Sequence, residues 1–196
     1  MRSRQARFLR SILEPAPGYA SQEVASFIAQ LDDQLKRLTD ATRDMTPEEL
    51  GWQPRPGTNT IGMLLAHLAI VEVFWTALIV KREENYQSEP TLGIGMDDDG
   101  MPIPEEGLPP ATLTGKDMAF YDDLLARGRA FLKDASKEIS ASDLEREIPR
   151  TRADGTRRLI NVRWYYYHVL EHFAGHYGQI LLLRHLYRAA QVPAKA

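Results

Sequence analysis

The stretch Ile61–Val80 constrains this chain more than any other segment. Placed on a helix, Leu64, Leu65, Leu68, Val71, Trp75 and Leu78 form one apolar stripe, and Ala66, Ala69, Ile70, Val73, Ala77 and Val80 cover much of the remaining surface. A helix on the surface of a globular protein keeps one polar face, so this one is expected to be covered on more than one side. Its length suits a bilayer span. Its interior, however, holds His67 and Glu72, and ionisable groups are expensive in lipid. The segment therefore reads as the buried helix of a soluble fold with no membrane role. A small bundle has difficulty burying two sides of one helix, which points to a homodimer formed through it.

Three further long helices flank it. The first opens at Ser21, a good N-cap, and carries Val24, Phe27, Ile28, Leu31, Leu35 and Leu38 at helical spacing until about Arg43–Met45. Thr46-Pro47-Glu48-Glu49 has the form of a capping box, with Glu49 reaching back, and starts a short turn that stops before Pro54. Asn59 or Thr60 then caps the apolar helix, which should run to about Arg82. Residues 86–113 are rich in Pro and Gly and read as a long irregular connection. A third helix is expected from Thr114, with Asp117 three residues on, to about Ala135. The Asp154-Gly155 pair suggests a small hairpin, and a fourth helix should span about Asn161–Ala190.

Four long helices without a substantial sheet predict an all-α fold, a four-helix bundle with a long crossover connection between helices two and three. The 196 residues suffice for one domain over 1–196, with 1–20 as an N-terminal extension and 86–113 as the long loop. A net charge of -3 gives no electrostatic footprint for nucleic acid. There is no cysteine, so neither disulfides nor thiolate ligands enter the argument. The basic start MRSRQARFLR is followed by no apolar run of the kind a secretory leader needs, and a cytoplasmic location is expected. Arg2, Arg4, Arg7 and Arg10 read as a frayed terminus.

The histidines carry the chemistry. His168, His172 and His176 follow one another at four-residue steps on helix four, on one helical face. Two imidazoles so spaced can bind one metal at about 2.0–2.1 Å. Spacing alone leaves His168/His172 and His172/His176 equivalent, and all three together are strained because the direction drifts by about 40° per step. His185 points away on the same geometry. His67 sits in the most apolar helix, where an unsatisfied imidazole is costly. A hydrogen-bonded core histidine is the plain reading of His67 by itself. With the helix-four pair, it completes a facing-helix site for a divalent transition metal such as Zn or Ni, open to a small-molecule substrate. Gly62, Gly175 and Gly178 suggest close helix approach near that site. Glu72, Glu171 and His168 are candidate acid–base or ligand-orienting groups. Asp97-Asp98-Asp99-Gly100 lacks the spacing of a calcium loop and reads as a solvated turn.

Two segments together resemble the DinB-like superfamily, also called the YfiT-like metal-dependent hydrolases. One is Thr46-Pro-Glu-Glu-Leu-Gly-Trp-Gln-Pro-Arg-Pro-Gly-Thr-Asn-Thr-Ile-Gly-Met-Leu-Leu-Ala-His67-Leu. The other is His168-Val-Leu-Glu-His172-Phe-Ala-Gly-His176-Tyr-Gly-Gln-Ile. The resemblance implies a four-helix bundle, often dimeric, with a three-histidine metal site that matches His67, His172 and His176, leaving His168 as a neighbour. Many members carry Arg before the Gly-Gln, where this chain has Tyr177. Relatives include S-transferases that use bacillithiol and mycothiol-dependent isomerases. The activity implied is that of a metal-dependent hydrolase or a transferase using a low-molecular-weight thiol. The competing expectation is a non-catalytic, metal-binding, stress-related dimer.

Overall fold

Each long helix begins where a side chain can close its first turn. In the computed structural model, which describes residues 10–151 and 154–192, Ser21, Thr60, Asp117 and Asn161 each accept a hydrogen bond from the backbone N–H three residues on. Such caps contribute about 1 kcal/mol each. They start α1 (Gln22–Thr42), α3 (Ile61–Trp75), α5 (Met118–Ser136) and α6 (Val162–Ala190). Two short helices, α2 (Pro47–Gly51) and α4 (Glu89–Leu92), and a two-stranded antiparallel sheet, β1 (Glu147–Thr151) with β2 (Arg157–Asn161), complete the mainly helical fold.

α3 is the central element. It packs on α5 and α6, while α1 closes the other side against the same two helices. Every residue of α3 is buried or half-buried. The chain's own α5, α6 and long connection pack around α3, the connection contributing Leu92, Ile94 and Leu113 to the core there. The segment Ile61–Lys81 is long and apolar enough to cross a membrane, and 72% of its 18-residue apolar window is buried inside this fold. Two glycines let α3 and α5 approach: a Cβ on Gly128 would lie 3.1 Å from the Ala69 carbonyl oxygen, and one on Gly62 would collide with the Tyr121 hydroxyl.

Several local readings change. α5 starts at Met118 rather than Thr114, because Gly115 adopts a left-handed backbone (φ 69°) and Asp117 is the residue that caps. Beyond Trp75 the apolar helix continues as a π-helical turn, Thr76–Lys81, closed by Arg82 in the left-handed region. Thr46 caps α2, but Glu49 turns away from it to face Arg184 Nε at 3.3 Å, so only half of the capping box forms. Gly175 and Gly178 have open space beside them and make no close approach. The hairpin pairs Ile148 with Ile160 and Arg150 with Arg158. Arg152, Ala153, Arg2, Arg4 and Arg7 lie outside the described residues.

Candidate metal centre

His67 projects from the middle of α3 toward α6, where His172 and His176 stand one turn apart. The Nε2 atoms of His67 and His172 are 3.2 Å apart, and those of His172 and His176 are 3.1 Å apart. All three residues are half-buried and their nitrogens lie within 4.8 Å of one another, close enough to hold a metal ion. Three nitrogens bound at about 2.1 Å to one ion would sit roughly 3.0–3.4 Å apart for bond angles between a right angle and tetrahedral.

Proton inventory supports a cation at this point. A neutral imidazole has one N–H and one lone pair. His67 Nδ1 donates to Asp99 Oδ2 at 2.7 Å, since a carboxylate can only accept. His176 Nδ1 donates to Gln179 Oε1 at 2.7 Å. Both rings therefore turn a lone pair inward at Nε2. His172 Nε2 lies between them and can donate to one at most, which leaves at least one lone pair facing the site without a donor. Protonation of His172 or His176 is a poor remedy. Burial, followed by the neighbouring His176, His67 and His168, pushes the His172 imidazole down to about 3. Burial also lowers His176, against the opposing hydrogen bond to Gln179. Three imidazoles converging through Nε2 are the donor set that zinc or nickel takes.

Asp99 corrects the reading of the acidic turn. Asp97 is exposed, and Asp98 accepts from Gly95 N at 2.6 Å. Asp99 is 3% exposed, with Oδ1 accepting from Met101 N at 2.9 Å and Oδ2 on His67. A carboxylate so placed fixes the tautomer and the angle of a ligating ring. Sequence reasoning missed it because the turn is separated from His67 by most of α3 and the connection after it. Gln179 was visible in the Gly-Gln motif, three residues after His176, but its role needed the geometry.

The other candidates fall elsewhere. Glu72 is 2% exposed and grips Arg129: Nη2 donates to Oε1 at 2.6 Å, and Nε lies 3.2 Å from both oxygens. Arg129 Nη1 also donates to Asp32 Oδ1 at 3.1 Å, and Lys133 Nζ to Asp32 Oδ2 at 2.7 Å. Glu72 thus belongs to an ion-pair network joining α3, α5 and α1. Glu171 is exposed and engages the Tyr167 hydroxyl. His168 is half-buried, stacked on Trp164 (centroids 4.6 Å apart, 12° between planes) with Trp75 at its edge, and its ring lies 5.9 Å from that of His172. Tyr177 points its hydroxyl at the Arg37 carbonyl on α1, and His185 is exposed.

A family model described as mycothiol S-transferase matches residues 26–189, a span that includes all three histidines together with Asp99 and Gln179. No curated protein matches the chain.

Proposed function

The chain belongs to the mycothiol S-transferase family, within the DinB-like superfamily, and from that premise we propose that it is a metal-dependent S-transferase acting with a low-molecular-weight thiol. On this reading α1, α3, α5 and α6 are the four-helix bundle of the superfamily, and the connection after the π-helical turn is its crossover. His67, His172 and His176 hold one zinc or nickel ion through Nε2. The observation that carries the reading is the convergence of the three Nε2 atoms with at least one lone pair lacking a donor. A bound divalent metal supplies the chemistry the chain lacks, since it lowers the pKa of a thiol so that the thiolate is available near neutral pH.

The remaining roles belong to the chain's own residues. Asp99 and Gln179 hold the Nδ1–H of His67 and His176 and so keep both Nε2 lone pairs aimed inward. His168 is a base with no hydrogen-bond partner among the described residues. Burial lowers its pKa, against Glu171 and reinforced by Arg158, and its unpartnered ring is the group we assign to take the thiol proton. Transfer then breaks the S–H bond, passes the proton to a base and forms an S–C bond as the acceptor's leaving group departs. A cytoplasmic setting suits such chemistry, because low-molecular-weight thiols are kept reduced there.

The test is elemental analysis of the purified protein and of His67→Ala and His172→Ala, beside consumption of mycothiol with an alkylating acceptor. About one zinc or nickel per chain, absent from both variants together with activity, is the expected result. Wild type that takes up no metal after reloading at neutral pH would overturn it. Hydrolysis of an ester by the same loaded protein, without thiol consumption, would turn the reading to a hydrolase.

A further inference from the structure

Two arginines lie on the Ile148–Ile160 face of the hairpin, Arg150 half-buried and Arg158 exposed. Arg150 and Arg158 are direct cross-strand partners, and like charges placed opposite one another destabilise a strand pair. Neither has an acidic partner among the described residues; Arg43, Arg55, Arg82, Arg146 and Arg157 also have no ion pair, and what distinguishes Arg150 and Arg158 is that they stand directly opposite one another. The Arg158 guanidinium lies 4.0 Å over the Trp164 ring, a stacked position that holds its plane.

Both arginines line a cavity of about 330 Å³ whose other walls are Trp75, Trp164, His168, Ile160 and Thr151. That volume is at the small end of ligand pockets. Its walls are two indoles, an imidazole and two guanidinium groups, which favour a flat body with a negative end. Trp164, His168, His172 and His176 follow at four-residue steps along α6, and His168 is both a wall of the cavity and the neighbour of a proposed metal ligand. The cavity therefore adjoins the histidine cluster along one helix face.

We propose that this cavity is the acceptor subsite, taking a small planar carboxylate with its anionic end on Arg150 and Arg158 and its body along the edges of the Trp164, Trp75 and His168 rings, since Arg158 and His168 already cover the two faces of Trp164. The paired guanidinium groups supply the forked donors a carboxylate accepts. The inference deepens the transferase reading by naming the class of acceptor, and rests on that reading only for the claim that the ligand is an acceptor.

The test uses zinc-loaded protein and three probes: benzoate, neutral benzamide and inorganic phosphate. Dissociation constants are read from tryptophan fluorescence in wild type, Arg150→Gln, Arg158→Gln, Arg158→Lys and His172→Ala, with zinc content measured in every sample. Benzoate is expected to bind at least about tenfold tighter than benzamide. Each Arg→Gln variant should lose about tenfold for benzoate and nothing for benzamide, and Arg158→Lys should recover only part because it cannot fork or stack. His172→Ala should lack zinc yet keep the preference for benzoate, so a failed metal reading and a failed subsite give different results. The proposal is overturned if benzoate and benzamide bind equally, or if the arginine variants bind benzoate as wild type does. It is also overturned if binding disappears only in His172→Ala, which would place the anion at the metal, or if phosphate binds better than benzoate, which would assign the cavity to phosphate esters.

Discussion

The apolar helix α3 carries two polar residues, and the structure treats them in opposite ways. Glu72 is answered completely: Arg129 covers both of its oxygens and passes its remaining charge to Asp32. His67 is answered on one side only, by Asp99, while its other nitrogen meets two more imidazoles that cannot all pair. A polar residue in a buried helix is therefore no sign of function by itself. What separates the two is whether donors and acceptors balance. The Glu72 network balances and ties α3, α5 and α1 together. The His67 cluster does not balance, and that deficit is what a cation would fill.

The most severe way to test the contrast is to unbalance the balanced side. Arg129→Leu leaves Glu72 buried without its partner, and removing one member of a buried pair costs about 3–5 kcal/mol. Urea unfolding should show that loss, and Glu72→Leu combined with Arg129→Leu should recover most of it, because both charges then leave the core. Zinc content per folded chain should stay at the wild-type value in both. A folded Arg129→Leu protein without metal would mean that the two regions are one functional unit and would break the comparison.

The complementary change is His67→Ala. In chelator-treated protein it should alter stability by only about 1–2 kcal/mol, the ordinary range for such a substitution. Zinc at a thousandfold above its dissociation constant should stabilise wild type by about 4 kcal/mol through mass action. His67→Ala should gain none of this in thermal melts with and without zinc. Equal stabilisation of the two proteins would show that zinc binds elsewhere.

Much of this was readable from sequence wherever the physics is local. Ser21, Thr60 and Asn161 announce helix starts because a cap contacts the amide three residues on. The four-residue histidine spacing on α6 is a local property, as is the Asp-Gly signal of the hairpin. The features that escaped depend on distant parts of the chain. Asp99 looks like any acidic turn residue until the long connection folds back over α3. Glu72 looks like a candidate acid until Arg129 arrives from α5. Gly175 and Gly178 suggested close approach, yet they face open space, since a glycine does not reveal what lies beside it. The choice between His168 and His176 as the second ligand on α6 was left open by spacing and taken from the family resemblance. The structure brings His176 to His172 through Nε2, whereas His168 stacks on Trp164.

A finer probe of the unbalanced side is Asp99→Asn. The amide cannot carry the negative charge that fixes the Nδ1–H of His67, and loss of such a partner typically weakens metal binding 10–100-fold. Competition with a chromogenic chelator should show a loss of that size, with the fold intact by circular dichroism. Asp98→Asn is the control, because Asp98 only caps the Gly95 amide in the same turn. If both variants bind zinc as wild type does, Asp99 shapes the connection and does not tune the ligand.

The smallest effect expected is on the acid side of metal-free protein. His172 is held at about 3 in the folded chain, chiefly by burial, against an ordinary value near 6.5 when unfolded. The unfolded state therefore binds more protons between these values. The stability associated with the neutral ring is complete above about pH 6.5 and declines as pH falls toward 3. Arg129 keeps its charge throughout that window. Chelator-treated wild type should be measurably less stable to urea at pH 5 than at pH 7. His172→Gln, which keeps a polar side chain without the titration, should show a smaller difference. Excess zinc should steepen the wild-type dependence, because protons and metal then compete for the same lone pairs. A wild-type acid slope unchanged in His172→Gln would place the titrating group outside the cluster and remove this distinction between the two ends of α3.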